Sequence, residues 1–574
     1  MTLLLDTTLP RSLDALLARP WPAGATVEAW LFEDAESRRA AERALAARGV
    51  AARLRSAYKP LLHAFLEEID LSGVAAIAVA YPVHPAAAPQ RFLTEAYPLA
   101  ALVGAVPLRF TAQEPRETDL PAYEVRLTLA KGGTREFGVP APNRRHADAF
   151  GRALLSPTGW LGDGGTGGRL ETDYEAAFAQ AMAAVTAHPW GEAEPFFEEL
   201  SVRIGIPARD RALACGEEAV SLAEALHEDL YFSLLEHFQA RTGRPPGDRH
   251  LRPGQIVPEI TIRDGAVTVT VETRPLCGPA DPLPAAGAGI LAAEDLPALL
   301  AALGGTALTA TARSGRPVLG RYVGGDAPRE RAVTIGSGQH PNEVTGPAGA
   351  LAAARVLAAR DGAHFTVSPL ENPDGAALQR RLAAGNPRHM HHAARYTALG
   401  DDLEYRITPP FHETAIRHEA ERCSGALLHV NLHGYPAHEW TRPLSGYLPS
   451  GFETWSLPRG FFLILRHWRG WAPSAEALAL AVTARLAEDA GLMALTRAQL
   501  ALSARHAPLP ELRTINGIPC LIAEDARHRV PLTLITEYPD ETIAGEALAA
   551  GIRVQARTVL AAYDAFQALA LPEA

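Results

Sequence analysis

Ala332-Val333-Thr334-Ile335-Gly336-Ser337-Gly338-Gln339-His340-Pro341-Asn342-Glu343 is the stretch on which the fold turns. Its apolar run reads as a buried strand, and Gly336-Ser337-Gly338 reads as the turn that ends it. The turn delivers an imidazole and a carboxylate, three positions apart, to the mouth of a sheet. Those are ligand types that a catalytic zinc takes, and such a site needs a third protein ligand and an open position. A lone H-x-x-E pair is weak evidence; the third ligand and the catalytic groups decide.

The third ligand is expected from another strand end. Ala426 to Leu432 is apolar and runs into His433-Gly434-Tyr435. His429, Asn431 and His433 share one face of such a strand. His433 stands where the run stops, at the carboxyl edge where open α/β sheets bind ligands; His429 lies deeper and reads as a hydrogen-bonded core residue. A zinc hydrolase also needs a carboxylate that is not a ligand, to take a proton from water and pass it to the leaving nitrogen. Leu532-Thr533-Leu534-Ile535-Thr536 reads as a buried strand closing on Glu537, the candidate base. An ionisable group closing such a strand is costly unless it faces a cleft or a partner.

In these residues the chain resembles the zinc carboxypeptidases of the M14 type, over about residues 290–574. The likeness rests on landmarks in the family's order: Ser314-Gly315-Arg316-Pro317 before a strand, His340 and Glu343, the turn Asn372-Pro373-Asp374-Gly375, His433-Gly434-Tyr435, and Glu537 near the C-terminus. The resemblance implies one Zn²⁺ per chain, held by His340, Glu343 and His433, with Glu537 as general base. It also implies two arginines after the turn. Arg388 is the candidate for the oxyanion and Arg406 for a substrate carboxylate, with Tyr405 and Asn386 beside them; Arg380, Arg381 and Arg395 are rivals. Tyr405 stands where digestive members have asparagine, and the flap region Thr514 to Pro519 has no tyrosine. Glu524 and Asp525 read as either pocket or solvated loop charges. The implied reaction is carboxypeptidase-type hydrolysis of a peptide. The alternatives are a zinc-dependent deacylase or amidase of N-acyl amino acids on the same fold, and a non-catalytic zinc-binding module.

At 574 residues the chain exceeds what one core holds. The expected fold class is α/β: a C-terminal doubly wound mixed sheet over 290–574, preceded by a small α/β unit over 1–135 and a mixed α+β region over 136–285, with Pro279 to Gly289 as linker. The net charge of -11 argues against nucleic acid and an anionic membrane surface as partners. Four dispersed cysteines form no C-x-x-C pair, and no apolar window reaches the length of a membrane span, so a cytoplasmic protein is expected. A homo-oligomer is left open. Several segments read as structural. Gly159 to Gly168 is expected as a flexible loop, His227-Glu228 and Glu236-His237 as the solvated face of a helix, and Ile256 to Glu272 as a β-hairpin around Asp264-Gly265. His389-Met390-His391-His392 is expected as an exposed loop, and His438-Glu439 is given no role.

Overall fold

A computed structural model describes the chain except residues 164–165, 325–327, 329–330, 509–510 and 573–574. The metal-motif strand lies inside a nine-stranded mixed sheet. In spatial order the strands are Thr306–Thr311, Pro317–Val323, Phe365–Ser368, Val333–Ser337, Leu428–Pro436, Leu532–Glu541, Phe462–His467, Ile518–Glu524 and Arg513–Ile515. Phe365–Ser368, Val333–Ser337, Leu428–Pro436 and Leu532–Glu541 run parallel. Parallel strands are buried on both faces, which is why these sequences are near-continuous apolar runs; every residue from Leu428 to Pro436 is buried. Successive residues show the two layers. Val318 meets Ile416 and Ala420 of the helix Ala415–Ser424. Leu319 packs on the opposite cluster, which includes Leu351, Leu478 and Val559 from three other helices. Helices therefore cover both faces of the sheet.

The N-terminal half contributes three four-stranded sheets. Strand pairing crosses the boundary expected at 135 in each of them: Thr2–Leu9 pairs with Val267–Arg274, Thr26–Leu31 with Trp160–Asp163, and Ala122–Leu129 with Thr134–Pro140. The hairpin expected over 256–272 is corrected. Gln255–Ile262 and Val267–Arg274 flank Glu199–Ile206, the first parallel to it and the second antiparallel. Alternation and the Asp-Gly turn are local signals, and they cannot register a third strand inserted between the two arms. The glycine-rich loop is also corrected: Trp160–Asp163 and Thr166–Arg169 pair as a hairpin, while Gly164 and Gly165 lie outside the described residues.

The helix Leu222–Arg241 joins the two halves. Ser221 caps it, accepting from the Glu224 N–H at 3.0 Å. It is buried on nearly every side, so its lack of an apolar stripe marks a central helix and not a solvated one. Leu230 and Leu234 share a core with Leu378, Met390 and Trp440 from the C-terminal part. A row of its carboxylates receives two loops, one after the helix Pro373–Ala383 and one after the strand Leu428–Pro436. Glu224 takes the Met390 N–H and His438 Nε2, each at 2.7 Å. Glu228 meets His392 Nδ1 at 2.7 Å; Asp229 accepts from the Leu444 N–H at 2.8 Å; and Glu236 takes both arms of Arg442 at 2.7 and 2.9 Å. The readings of His227-Glu228 and Glu236 as solvated, and of His389 to His392 as exposed, are therefore corrected: these residues are buried. A helix pattern in isolation gives no sign that another part of the chain covers the polar face.

Candidate metal centre

His340 and Glu343 sit on the loop after Val333–Ser337, and His433 near the end of the neighbouring strand Leu428–Pro436. Gly338 turns the chain out of the first strand at φ +63, and a Cβ there would press on the Leu370 backbone. Asn372 anchors this loop by donating to the carbonyls of Gln339 at 3.1 Å and Tyr396 at 3.2 Å. The Asn-Pro-Asp-Gly turn is fixed in its own right by the Ser314 N–H, which donates to Asp374 at 3.1 Å.

The three candidate ligands converge. One ligand atom from each of His340, Glu343 and His433 lies within 4.8 Å of the others, and among the described residues this is the one such group. His340 Nδ1 is 2.7 Å from Glu343 Oε1, His433 Nδ1 is 3.0 Å from Glu343 Oε2, and the two Nδ1 atoms are 3.0 Å apart. A tetrahedral ion with bonds near 2.0–2.1 Å separates its ligand atoms by about 3.3 Å. The set fits such an ion after an opening of a few tenths of an ångström. Two imidazole nitrogens facing a carboxylate in a site that is 2, 3 and 5% exposed is also the donor set that zinc favours. Gly434 helps to hold Glu343, its N–H donating to Oε2 at 2.9 Å; a side chain at 434 would collide with the Asp540 carboxylate.

Asp402 orients the first histidine. Its Oδ1 is 3.1 Å from His340 Nε2, which turns Nδ1 toward the cluster. Burial alone would lower the His340 pKa, but Glu343 and Asp402 raise it above its ordinary value. Burial would raise Glu343, yet His340, His433 and Arg395 hold it far below the usual carboxylate range. It therefore stays ionised, as a ligand must.

Glu537 pairs in register with His433 across parallel strands, so its side chain shares the face that carries the ligand. It is half-buried, and burial pushes its carboxyl well above the usual range, with the Glu343 charge adding to the effect. A carboxyl with raised proton affinity beside three ligand groups can accept and return a proton.

The arginines are arranged differently from the sequence expectation. Arg388 is 65% exposed and pairs with Glu217 at 2.9 Å. Arg406 has a fully buried guanidinium, occupied by Asp401, Glu413 and Thr397, so it has no edge free for a substrate. Asn386 donates to the Ile260 carbonyl at 2.6 Å and ties its loop to an N-terminal strand. Tyr405 lies between the guanidinium groups of Arg249 and Arg527, at 5.1 and 4.8 Å from its ring. Arg395, a rival in the sequence, is the arginine at the cluster, with Nη1 2.6 Å from Glu343 Oε1. Spacing along the chain cannot distinguish arginines within one loop; what selects Arg395 is the 3-10 turn His392–Ala394 just before it. Asp402 was missed because an aspartate in a polar loop carries no local signature.

No family model matches the sequence, and no curated protein matches it. Among solved structures the chain is similar to a metallo-carboxypeptidase from Burkholderia cenocepacia, at 16% identity over 53% of this chain and 77% of that one, with a TM-score of 0.29. It is similar to a metallo-carboxypeptidase from Pseudomonas aeruginosa in complex with (2-guanidinoethylmercapto)succinic acid, at 14% identity over 53% and 73%, TM-score 0.29. It is similar also to carboxypeptidase A from Helicoverpa armigera, at 11% identity over 49% and 74%, TM-score 0.29. No described helix is long and apolar enough to cross a membrane, and no disulfide joins Cys215, Cys277, Cys423 and Cys520.

Proposed function

We propose that the chain is a zinc-dependent hydrolase of carboxypeptidase type that cleaves an amide bond in a peptide. The observation that carries this reading is the convergence of His340 Nδ1, Glu343 and His433 Nδ1 with Glu537 on the same sheet edge. His340, Glu343 and His433 would hold the ion, and Asp402 would fix the ring of His340. When bound, zinc supplies a Lewis acid that polarises a carbonyl and acidifies water. Glu537 takes the proton of the attacking water and returns it to the leaving nitrogen. Arg395, which replaces Arg388 in this reading, places a fixed positive charge beside the ligands, where negative charge develops on the substrate oxygen. The helix Leu222–Arg241 holds the loops that carry Met390, His392 and His438.

Glu537→Gln tests the assignment. Turnover of a peptide panel is expected to fall by a factor of about 10² to 10⁴, with zinc stoichiometry unchanged. Full activity in that variant removes Glu537 from the reaction.

A further inference from the structure

We propose that a cavity at the seam between the two halves of the chain binds a free amino acid, as a zwitterion with an apolar side chain. The preference for such a zwitterion stands apart from the hydrolase reading; only the identity of the ligand with a product of that reaction rests on it.

The cavity has a volume of about 400 Å³. That is the size of a small-molecule site, and such sites favour the interfaces between domains. Segments 85–91 and 148–155 of the N-terminal half meet segment 445–453 around it, with Glu236 of the helix Leu222–Arg241 on one side. The seam is held by direct contacts. The Gly446 N–H donates to Ser156 Oγ at 2.8 Å, and Arg152 Nη2 donates to Ser450 Oγ at 3.3 Å. None of the metal-centre residues lines the cavity.

Ala86, Ala87, Ala88, Leu154 and Leu448 give it apolar walls. Two of its acids are already matched. Glu236 is clamped by both arms of Arg442. Asp148 accepts the Phe150 and Arg152 N–H groups at 2.9 and 2.8 Å, and Arg152 Nε at 2.5 Å. The two arginines keep donors in reserve, because a guanidinium carries five N–H groups. Arg152 spends Nε on Asp148 and Nη2 on Ser450, and its Nη1 makes no hydrogen bond among the described residues. Arg91 is 1% exposed, its guanidinium lies over the rings of Phe92 and Tyr447 at 4.2 and 4.8 Å, and its Nε has no partner. Glu453 spends Oε1 on the Gly451 N–H at 3.1 Å and is in no ion pair among the described residues. Ser450 brings Arg152 to the loop that carries Glu453. A ligand with a carboxylate for the guanidinium edge and an ammonium for Glu453 satisfies both. A simple anion would face Glu453, and a simple cation would face the arginines, so each half-charged relative is disfavoured. The apolar walls then receive the side chain. Amide cleavage at the end of a peptide releases such a molecule, so the cavity is suited to hold a product outside the metal centre.

The test is calorimetric titration of the full chain with L-leucine, beside N-acetyl-leucine, which lacks the ammonium, and leucinamide, which lacks the carboxylate. L-leucine should bind with a Kd on the order of 1 mM or tighter, at least about tenfold more tightly than either relative. Glu453→Gln should erase the advantage over N-acetyl-leucine, and Arg152→Gln the advantage over leucinamide. Ala87→Trp, which fills the cavity, should abolish binding, while His433→Ala should bind L-leucine as the wild type does; circular dichroism checks that each variant folds. No binding of L-leucine up to about 10 mM, equal affinities for the three probes, or an undiminished preference in folded Glu453→Gln and Arg152→Gln each overturns the proposal. Binding lost in His433→Ala and kept in Ala87→Trp places the amino acid at the metal centre and overturns the cavity. These titrations involve no turnover, so their failure leaves the hydrolase reading standing, whereas full activity in Glu537→Gln counts against that reading and leaves the cavity.

Discussion

Asp402→Asn is the perturbation that probes the metal site most finely. The carboxylate makes three contacts: Oδ1 at 3.1 Å from His340 Nε2, Oδ1 accepting the Glu404 N–H at 3.0 Å, and Oδ2 accepting Arg249 at 3.2 Å. Asparagine keeps the shape and one acceptor but removes the charge that makes the His340 ring a better donor to a cation. It also sets an NH₂ group against either the Arg249 guanidinium or the imidazole N–H. Losing such an outer partner weakens metal binding by a factor of about 10 to 100, or about 1.4–2.7 kcal/mol. Competition with a chromophoric chelator at fixed pH reads the zinc affinity directly, and circular dichroism checks that the fold persists. A zinc affinity within a factor of about two of wild type in a folded variant would refute the reasoning that Asp402 tunes the site.

Arg395→Ala should lower kcat by a factor of about 10² to 10³ with zinc retained, whereas Arg388→Ala should leave kcat unchanged and shift stability by less than about 0.5 kcal/mol, because its pair is a surface one; steady-state kinetics on the same substrate decides, and the reverse pattern would restore the sequence assignment. The contact between the halves should carry a pH signature. Burial alone would lower His438, but Glu224 at 2.7 Å, with Glu218 and Glu439, lifts it to about 9. A raised folded pKa means that this stabilisation is full below the unfolded value near ~6.5 and is lost as pH rises toward 9, on the order of 3 kcal/mol in all. Its partner Glu224, drawn down to about 2, contributes above ~4.3 and loses that contribution as pH falls. Urea unfolding at pH 6.5 and 9 should show a smaller loss for His438→Gln than for wild type; identical losses would exclude this pair as the cause.

The candidate ligands were legible because an apolar run precedes each group of them, and polar residues just past a buried strand stand out in one dimension. His433 and Glu537 stand at the ends of such runs, His340 and Glu343 follow the turn after one, and the structure brings all four to one sheet edge. The supporting groups lie in the irregular segment 386–406, where position follows from three-dimensional packing. Arg406 was expected at the substrate and is locked between Asp401 and Glu413, while Asp402 two residues after a glycine turn gave no sign of reaching His340. The N-terminal half was least legible. Strand partners there are distant in sequence, as where Glu199–Ile206 separates the two arms of the expected hairpin. The helix Leu222–Arg241 read as amphiphilic in the wrong sense, because its carboxylates are satisfied by loops some 160 to 220 residues further along the chain.

The most direct test of the metal centre is native mass spectrometry of the full chain titrated with Zn²⁺, beside His340→Ala and His433→Ala. One tightly held ion per chain in the wild type, and none in either variant under the same conditions, is the predicted result. A folded wild-type protein that takes up no stoichiometric ion, or variants that bind it undiminished, would contradict the account.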